Sequence, residues 1–182
     1  MLIFNIQCTE TRKQMKKIEI ERKFIIKKPS ADAISRESDY TESEITQIYL
    51  ENPKMTHRVR KRKYADGTKE FTENTKLRIS GMSVIENERI ITESEYSELS
   101  AMRAKNTHPL TKTRKTFGFL GKTFEIDLYD AWNSTCIMEV EMESEDEKIK
   151  FPPFIEIVRE VTGERKYSNH AMSESFPEEI SI

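Results

Sequence analysis

Residues 18–28 read IEIERKFIIKK, and the alternation within them decides how the rest of the chain is read. As a strand, this stretch sets Ile18, Ile20, Phe24 and Ile26 on one face and Glu19, Glu21 and Lys23 on the other. Side chains at i and i+2 share a strand face about 7 Å apart. Two carboxylates so placed suit a hard divalent cation, and the ammonium that follows suits an anion the cation also touches. A solvated outer face of any strand can also read E-x-E-x-K, so the weight falls on what accompanies the motif.

Outward from this stretch the same arrangement recurs with both signs of charge. HRVRKRK, within a strand expected over residues 56–64, puts Arg58, Arg60 and Arg62 on one face. Asp66-Gly67 is a turn signal that makes this strand and residues 68–76 a hairpin, which brings in Lys76. Residues 82–91 carry Glu86 and Glu88, and residues 110–117 carry Lys112 and Arg114. In residues 123–129, Glu125 and Asp127 oppose Phe124, Ile126 and Leu128; in 135–143, Glu139 and Glu141 oppose Cys136, Met138, Val140 and Met142. A short strand over 45–50 sets Gln47 and Tyr49 opposite Ile48 and Leu50.

Between these strands, ADAISRESDYTESE after Pro29 and Ser30 is read as one short helix and a loop. Thr92-Glu93-Ser94-Glu95 is a capping box, and Tyr96, Leu99 and Met102 follow at helical spacing, so a helix of about three turns begins there. Gly118 and Gly121 are expected to bracket a turn. Residues 154–161 are a helix candidate, and VTGERKYSN after them has no settled period.

The candidate strands number eight, and at least six carry charged i,i+2 pairs sorted by sign. An antiparallel sheet that buries its apolar face can be covered by helices on one side or closed into a barrel with the charged face inward. In the closed form the apolar faces point outward, under the helices expected near 31–38 and 92–103, and the lumen is a polar tunnel. Charges drawn out of water are costly unless paired or ligated. Separated acidic and basic sets therefore point to a divided site, oxygen ligands for magnesium or manganese and Lys and Arg for a run of phosphates.

The composition sets the bounds. A chain of 182 residues suits one domain. Its 30 basic and 32 acidic residues leave a net charge of −2, with no basic excess for nucleic acid. Two cysteines, Cys8 and Cys136, suggest neither a disulfide framework nor a zinc site. No segment approaches the roughly 18 apolar residues of a membrane span, and MLIFNIQ lacks the basic start and cleavage site of a signal peptide. A cytoplasmic protein, a monomer or homodimer with no membrane or nucleic-acid partner, is expected. Residues 1–17 are read as an extension with Met15 a candidate start, 18–176 as a single tunnel domain, and 177–182 as a tail. His57, His108 and His170 are scattered, and no serine or cysteine nucleophile is paired with a histidine base.

With these motifs in order, the chain resembles the CYTH superfamily, the triphosphate tunnel metalloenzymes. The resemblance runs from Ile18 to about Met172 through EIERKF (19–24), RVR (58–60), TK (75–76), ENE (86–88), KTR (112–114), EID (125–127), EVE (139–141) and EVTGERKYSN (160–169). It implies a mainly β chain with flanking helices, closed into an eight-stranded antiparallel barrel whose charged tunnel binds a triphosphate and Mg2+ or Mn2+. By the same resemblance, Glu19, Glu21 and Lys23 are catalytic, and Lys23, Arg58, Arg60, Lys76, Lys112 and Arg114 hold substrate. Metal would be held among Glu19, Glu21, Glu86, Glu88, Glu125, Asp127, Glu139 and Glu141. The implied activity is metal-dependent hydrolysis of inorganic tripolyphosphate or a nucleoside triphosphate, with adenylyl cyclase or thiamine triphosphatase as the enzymatic alternative and a non-catalytic polyphosphate or nucleotide-binding module as the other. The spacing from Lys76 to Glu86 is longer than in compact bacterial forms, and Arg62, on the inward face by parity, is less clearly part of the family pattern and is expected at the tunnel mouth.

Overall fold

The computed structural model describes residues 15–182, with side chains from residue 18 onward. The readings of residues 1–14, including Cys8, lie outside the described residues. The strand that carries the first motif, β1 (Met15–Lys27), begins three residues before Ile18. It is followed by α1 (Ala31–Ser35), β2 (Ser38–Leu50), β3 (Thr56–Tyr64), β4 (Lys69–Arg78), β5 (Ser83–Ile90), α2 (Glu93–Ser100), β6 (Leu110–Phe119), β7 (Lys122–Leu128), β8 (Thr135–Glu141), β9 (Ile157–Glu160) and α3 (Asn169–Glu174).

All strand pairs are antiparallel, in the order β5-β4-β3-β2-β6-β7-β8-β1-β9, and an additional β5–β1 pairing closes the first eight into a barrel. Closure depends on how β1 divides its edge. Residues 15–20 pair with β5, whereas Phe24–Ile26 on the same edge pair with β9, and residues 21–27 pair with β8 on the other edge. The chain thus leaves no long open edge on β1.

Apolar residues cover the outside of this barrel, as the alternation predicts. One core packs Phe24, Ile26, Phe117, Phe124, Ile126, Met138 and Val140 under Ile34 of α1 and the segment carrying Phe151 and Phe154. A second packs Leu50, Val59, Phe71 and Ile91 under Tyr96 and Leu99 of α2. The capping box of α2 forms as read, with Thr92 and Glu95 bonded reciprocally, but the helix is only eight residues long and Met102 is exposed beyond it. A third core lies inside: Ile25, Leu110, Tyr129 and Ile137 continue the inward faces of their strands and pack on Trp132, Val161, Tyr167 and Met172. This inner core plugs one end of the barrel, with α3 seated on it. No helix among the described residues is long and apolar enough to cross a membrane.

Three local readings are corrected. Residues 38–44 are strand, not loop: β2 pairs with β6 through this polar stretch after an irregularity at Ser38–Thr41, where Asp39 takes a positive φ of 53°. Residues 154–161 are not helical but supply β9, because the edge of β1 beyond Ile20 offers hydrogen bonds that no local periodicity announces. Gly118 lies inside β6 against Ser38; the turn consists of Leu120 and Gly121, both at positive φ. After α3, Glu179 accepts from the backbone N–H groups of Asn133, Ser134 and Thr135, and Trp132 donates Nε1–H to the Pro177 carbonyl.

Candidate active site

The strand alternation that sends apolar side chains outward sends charged ones into a cavity of about 690 Å³ within the barrel. Glu19 and Glu21 reach it from β1, Arg58 and Arg60 from β3, and Lys76 from β4. Glu86 and Glu88 of β5, Lys112 and Arg114 of β6, Glu125 of β7, and Glu139 and Glu141 of β8 complete the charged lining. Arg62, on the inward face by its parity, also lines it. Two expected site residues do not line this cavity. Lys23 lies behind the wall, where its ammonium bonds Glu139 at 2.7 Å and the Tyr167 carbonyl at 3.3 Å. Asp127 is 0% exposed, with its carboxylate bonded by Arg114 and Lys112.

Within the cavity, cations and carboxylates neutralise one another. Lys76 stands 2.7 Å from Glu19 and 3.1 Å from Glu86, Arg60 stands 2.8 Å from Glu88, and Arg58 stands 3.8 Å from Glu86. Arg114 bonds Asp127, Glu125 and Glu139 together. Glu21 differs from these: its carboxylate makes no hydrogen bond or ion pair among the described residues, although Glu141 faces it in register across β1–β8.

The protonation of these groups follows from their neighbours. Burial, reinforced by Glu139, raises the pKa of Glu21 above the ordinary carboxylate value. Burial and the hydrogen bond that its protonated form donates to Glu86 likewise raise Glu19, while Glu86, the acceptor, is lowered because that bond and Lys76 outweigh its own burial. Within this pair a proton therefore sits more readily on Glu19 than on Glu86. Burial works against charge on Glu139, but Lys23 and Arg114 outweigh it and hold this carboxylate well below its usual range. Lys112 is pushed down to about 8 by burial and by the adjacent Arg114, which Asp127 only partly offsets. Asp127 itself is lowered despite burial, because two cations hold it.

The plugged end sets the depth of the cavity. Asn169, at the start of α3, lines it and accepts from Tyr129 Oη at 2.9 Å and from Lys112 Nζ at 3.4 Å. His170 packs on Tyr49 with ring centroids 4.7 Å apart, so it belongs to the plug. His57 lies on the outer face, 2.8 Å from Glu73. Sequence reasoning missed Asn169 and Gln47 as lining residues; the second carried a signal, since it shares the inward parity of β2 with Ile45 and Tyr49.

No protein-family model matches the chain, and no curated protein does. Among solved structures it is similar to the inorganic triphosphatase NE1496, at 26% identity and a TM-score of 0.56, over 87% of this chain and 99% of that one. It is also similar to the PH1819 protein of Pyrococcus horikoshii OT3, over 70% of this chain and 80% of that one, at 18% identity and a TM-score of 0.52, a likeness of fold. The closed eight-stranded barrel, its ordered charged motifs and the likeness to the inorganic triphosphatase NE1496 are consistent with the CYTH superfamily.

Proposed function

We propose that this chain is a metal-dependent hydrolase of triphosphate substrates, with inorganic tripolyphosphate or a nucleoside triphosphate as substrate and Mg2+ or Mn2+ as cofactor. The observation that carries the reading is a cavity within the barrel in which a half-buried carboxylate without a partner among the described residues, Glu21, shares one chamber with Arg58, Arg60 and Lys76. The likeness to an inorganic triphosphatase supports it.

The donor set fits a hard cation. Among the described residues no three carboxylates converge closely enough to hold a metal unaided. Magnesium, however, is usually held by one or two carboxylates together with waters and phosphate oxygens. Glu21, with Glu19, Glu139 and Glu141 beside it, would supply those oxygens. A bound divalent cation would polarise a phosphoryl oxygen and offset charge during transfer.

The protein's own part is positioning and charge exchange. Phosphate oxygens reaching Arg58, Arg60 and Lys76 would replace Glu86, Glu88 and Glu19 as their partners, so the internal ion pairs act as placeholders for substrate. Lys112 and Arg114 would hold phosphate at the inner part of the chamber. Asp127 and Glu125 keep Arg114 in position, and Lys23 fixes Glu139. Orthophosphate release from tripolyphosphate, ATP, thiamine triphosphate and pyrophosphate, with magnesium and with chelator, tests the reading. Absence of release from every triphosphate would contradict it, and cyclic AMP from ATP would assign the cyclase reaction instead.

A further inference from the structure

Gln47 is 1% exposed, lines the cavity, and stands in register with Arg60 across β2–β3. Its side-chain orientation is fixed by chemistry. Arg58 can only donate, and its guanidinium lies 3.2 Å from Oε1 of Gln47, so that atom is the carbonyl oxygen and Nε2 is the donor. Nε2 is buried and has no hydrogen-bond partner among the described residues. The Nε atoms of Arg58 and Arg60 are buried and unpartnered in the same way. The unmet donors of these three residues thus gather on the adjacent strands β2 and β3. A buried donor without an acceptor is unfavourable, and a cluster of them marks where an acceptor-rich ligand belongs.

We propose that Gln47 is a substrate-contacting residue, whose Nε2 donates to a phosphate oxygen held between Arg58 and Arg60. The assignment rests on the triphosphate reading above. It differs from the charged contacts in kind: a neutral amide adds a directed hydrogen bond without adding to the repulsion among the arginines. It also differs from a purely structural role. Holding Arg58 uses only the carbonyl oxygen, and a carboxylate would do that better than an amide.

That difference defines the test. Tripolyphosphate binding is measured by titration calorimetry, with calcium in place of magnesium to slow turnover, on the wild type, Gln47→Leu and Gln47→Glu, each with a melting scan of the empty protein. The expected result is binding about tenfold to a hundredfold weaker in Gln47→Leu. Gln47→Glu should be weakened at least as much, although its carboxylate keeps the acceptor for Arg58. Wild-type affinity in Gln47→Glu would overturn the contact and leave Gln47 as a support for Arg58, and this variant decides the matter even if Gln47→Leu fails to fold. Wild-type protein without affinity for tripolyphosphate would overturn the functional reading and this assignment together, whereas wild-type binding undiminished in both variants would overturn this assignment alone.

Discussion

Lys23 and Glu139 face each other in register across β1 and β8, their charged groups 2.7 Å apart and nearly buried. Glu139 keeps a second cation, Arg114, also at 2.7 Å. Removing Lys23 therefore leaves a buried carboxylate half compensated. Lys23→Met is expected to cost about 3 kcal/mol at pH 8, the low end for a broken buried pair because Arg114 remains. In the wild type the depressed pKa of Glu139 contributes stability above the ordinary carboxylate range, lost as pH falls through the depressed value. In the variant that pKa rises, so the gap from wild type should narrow on going from pH 8 to pH 5. Urea unfolding at both pH values checks this; a constant gap would show that Lys23 does not hold the Glu139 charge.

Glu21 should behave in the opposite sense. It has no ion pair to lose among the described residues, and its raised pKa means that its charge is a burden on the empty fold. The stability this carboxyl allows is fullest below the ordinary carboxylate value and is lost as pH rises through the raised one. Glu21→Gln is thus expected to melt at or above the wild-type temperature near pH 8 while losing magnesium-dependent turnover by about a hundredfold or more. Turnover retained at low magnesium would remove Glu21 from the metal set.

Lys112 carries a pH signature. With its pKa pushed down to about 8 in the empty protein, it sheds its proton before an unfolded lysine does, so its contribution to stability rises with pH from about 8 to about 10.4. An arriving phosphate reverses this, because the anion favours the ammonium. Tripolyphosphate affinity should fall above pH 8, by up to about tenfold per pH unit, with proton uptake on binding. Calorimetry in buffers of different ionisation enthalpy measures that uptake. Lys112→Arg should flatten the profile, and a flat profile in the wild type would contradict the assignment.

The barrel was legible because a two-residue period repeats with charge sorted by sign, and closing eight such strands puts Arg58 and Glu86 in one chamber. What the period does not carry is how far a strand continues or which edge remains open. Ser38–Glu44 lacks apolar alternation, yet β6 gives it partners. Ile157–Glu160 is strand only because β5 leaves β1 at Ile20. Parity also cannot tell a wall residue from one behind the wall: Asp127 shares the inward face with Glu125 but is covered by Lys112 and Arg114. The plug around Asn169 and His170 depends on long-range packing against Tyr129 and Tyr49, which a segment without clear period does not announce.

The central claim is that the charged faces enclose a site for triphosphate, and a melting scan with and without tripolyphosphate and calcium tests it most directly. A ligand at about 100 times its dissociation constant adds roughly 2.7 kcal/mol to the folded state. For a domain of this size that is a rise of about 5 to 11 °C, and an enclosed site should keep most of it in salt of a few tenths molar. The account predicts this rise in the wild type and a clearly smaller one in Arg58→Ala. No rise in the wild type, or an equal rise in the variant, would contradict an enclosed phosphate site built on these residues.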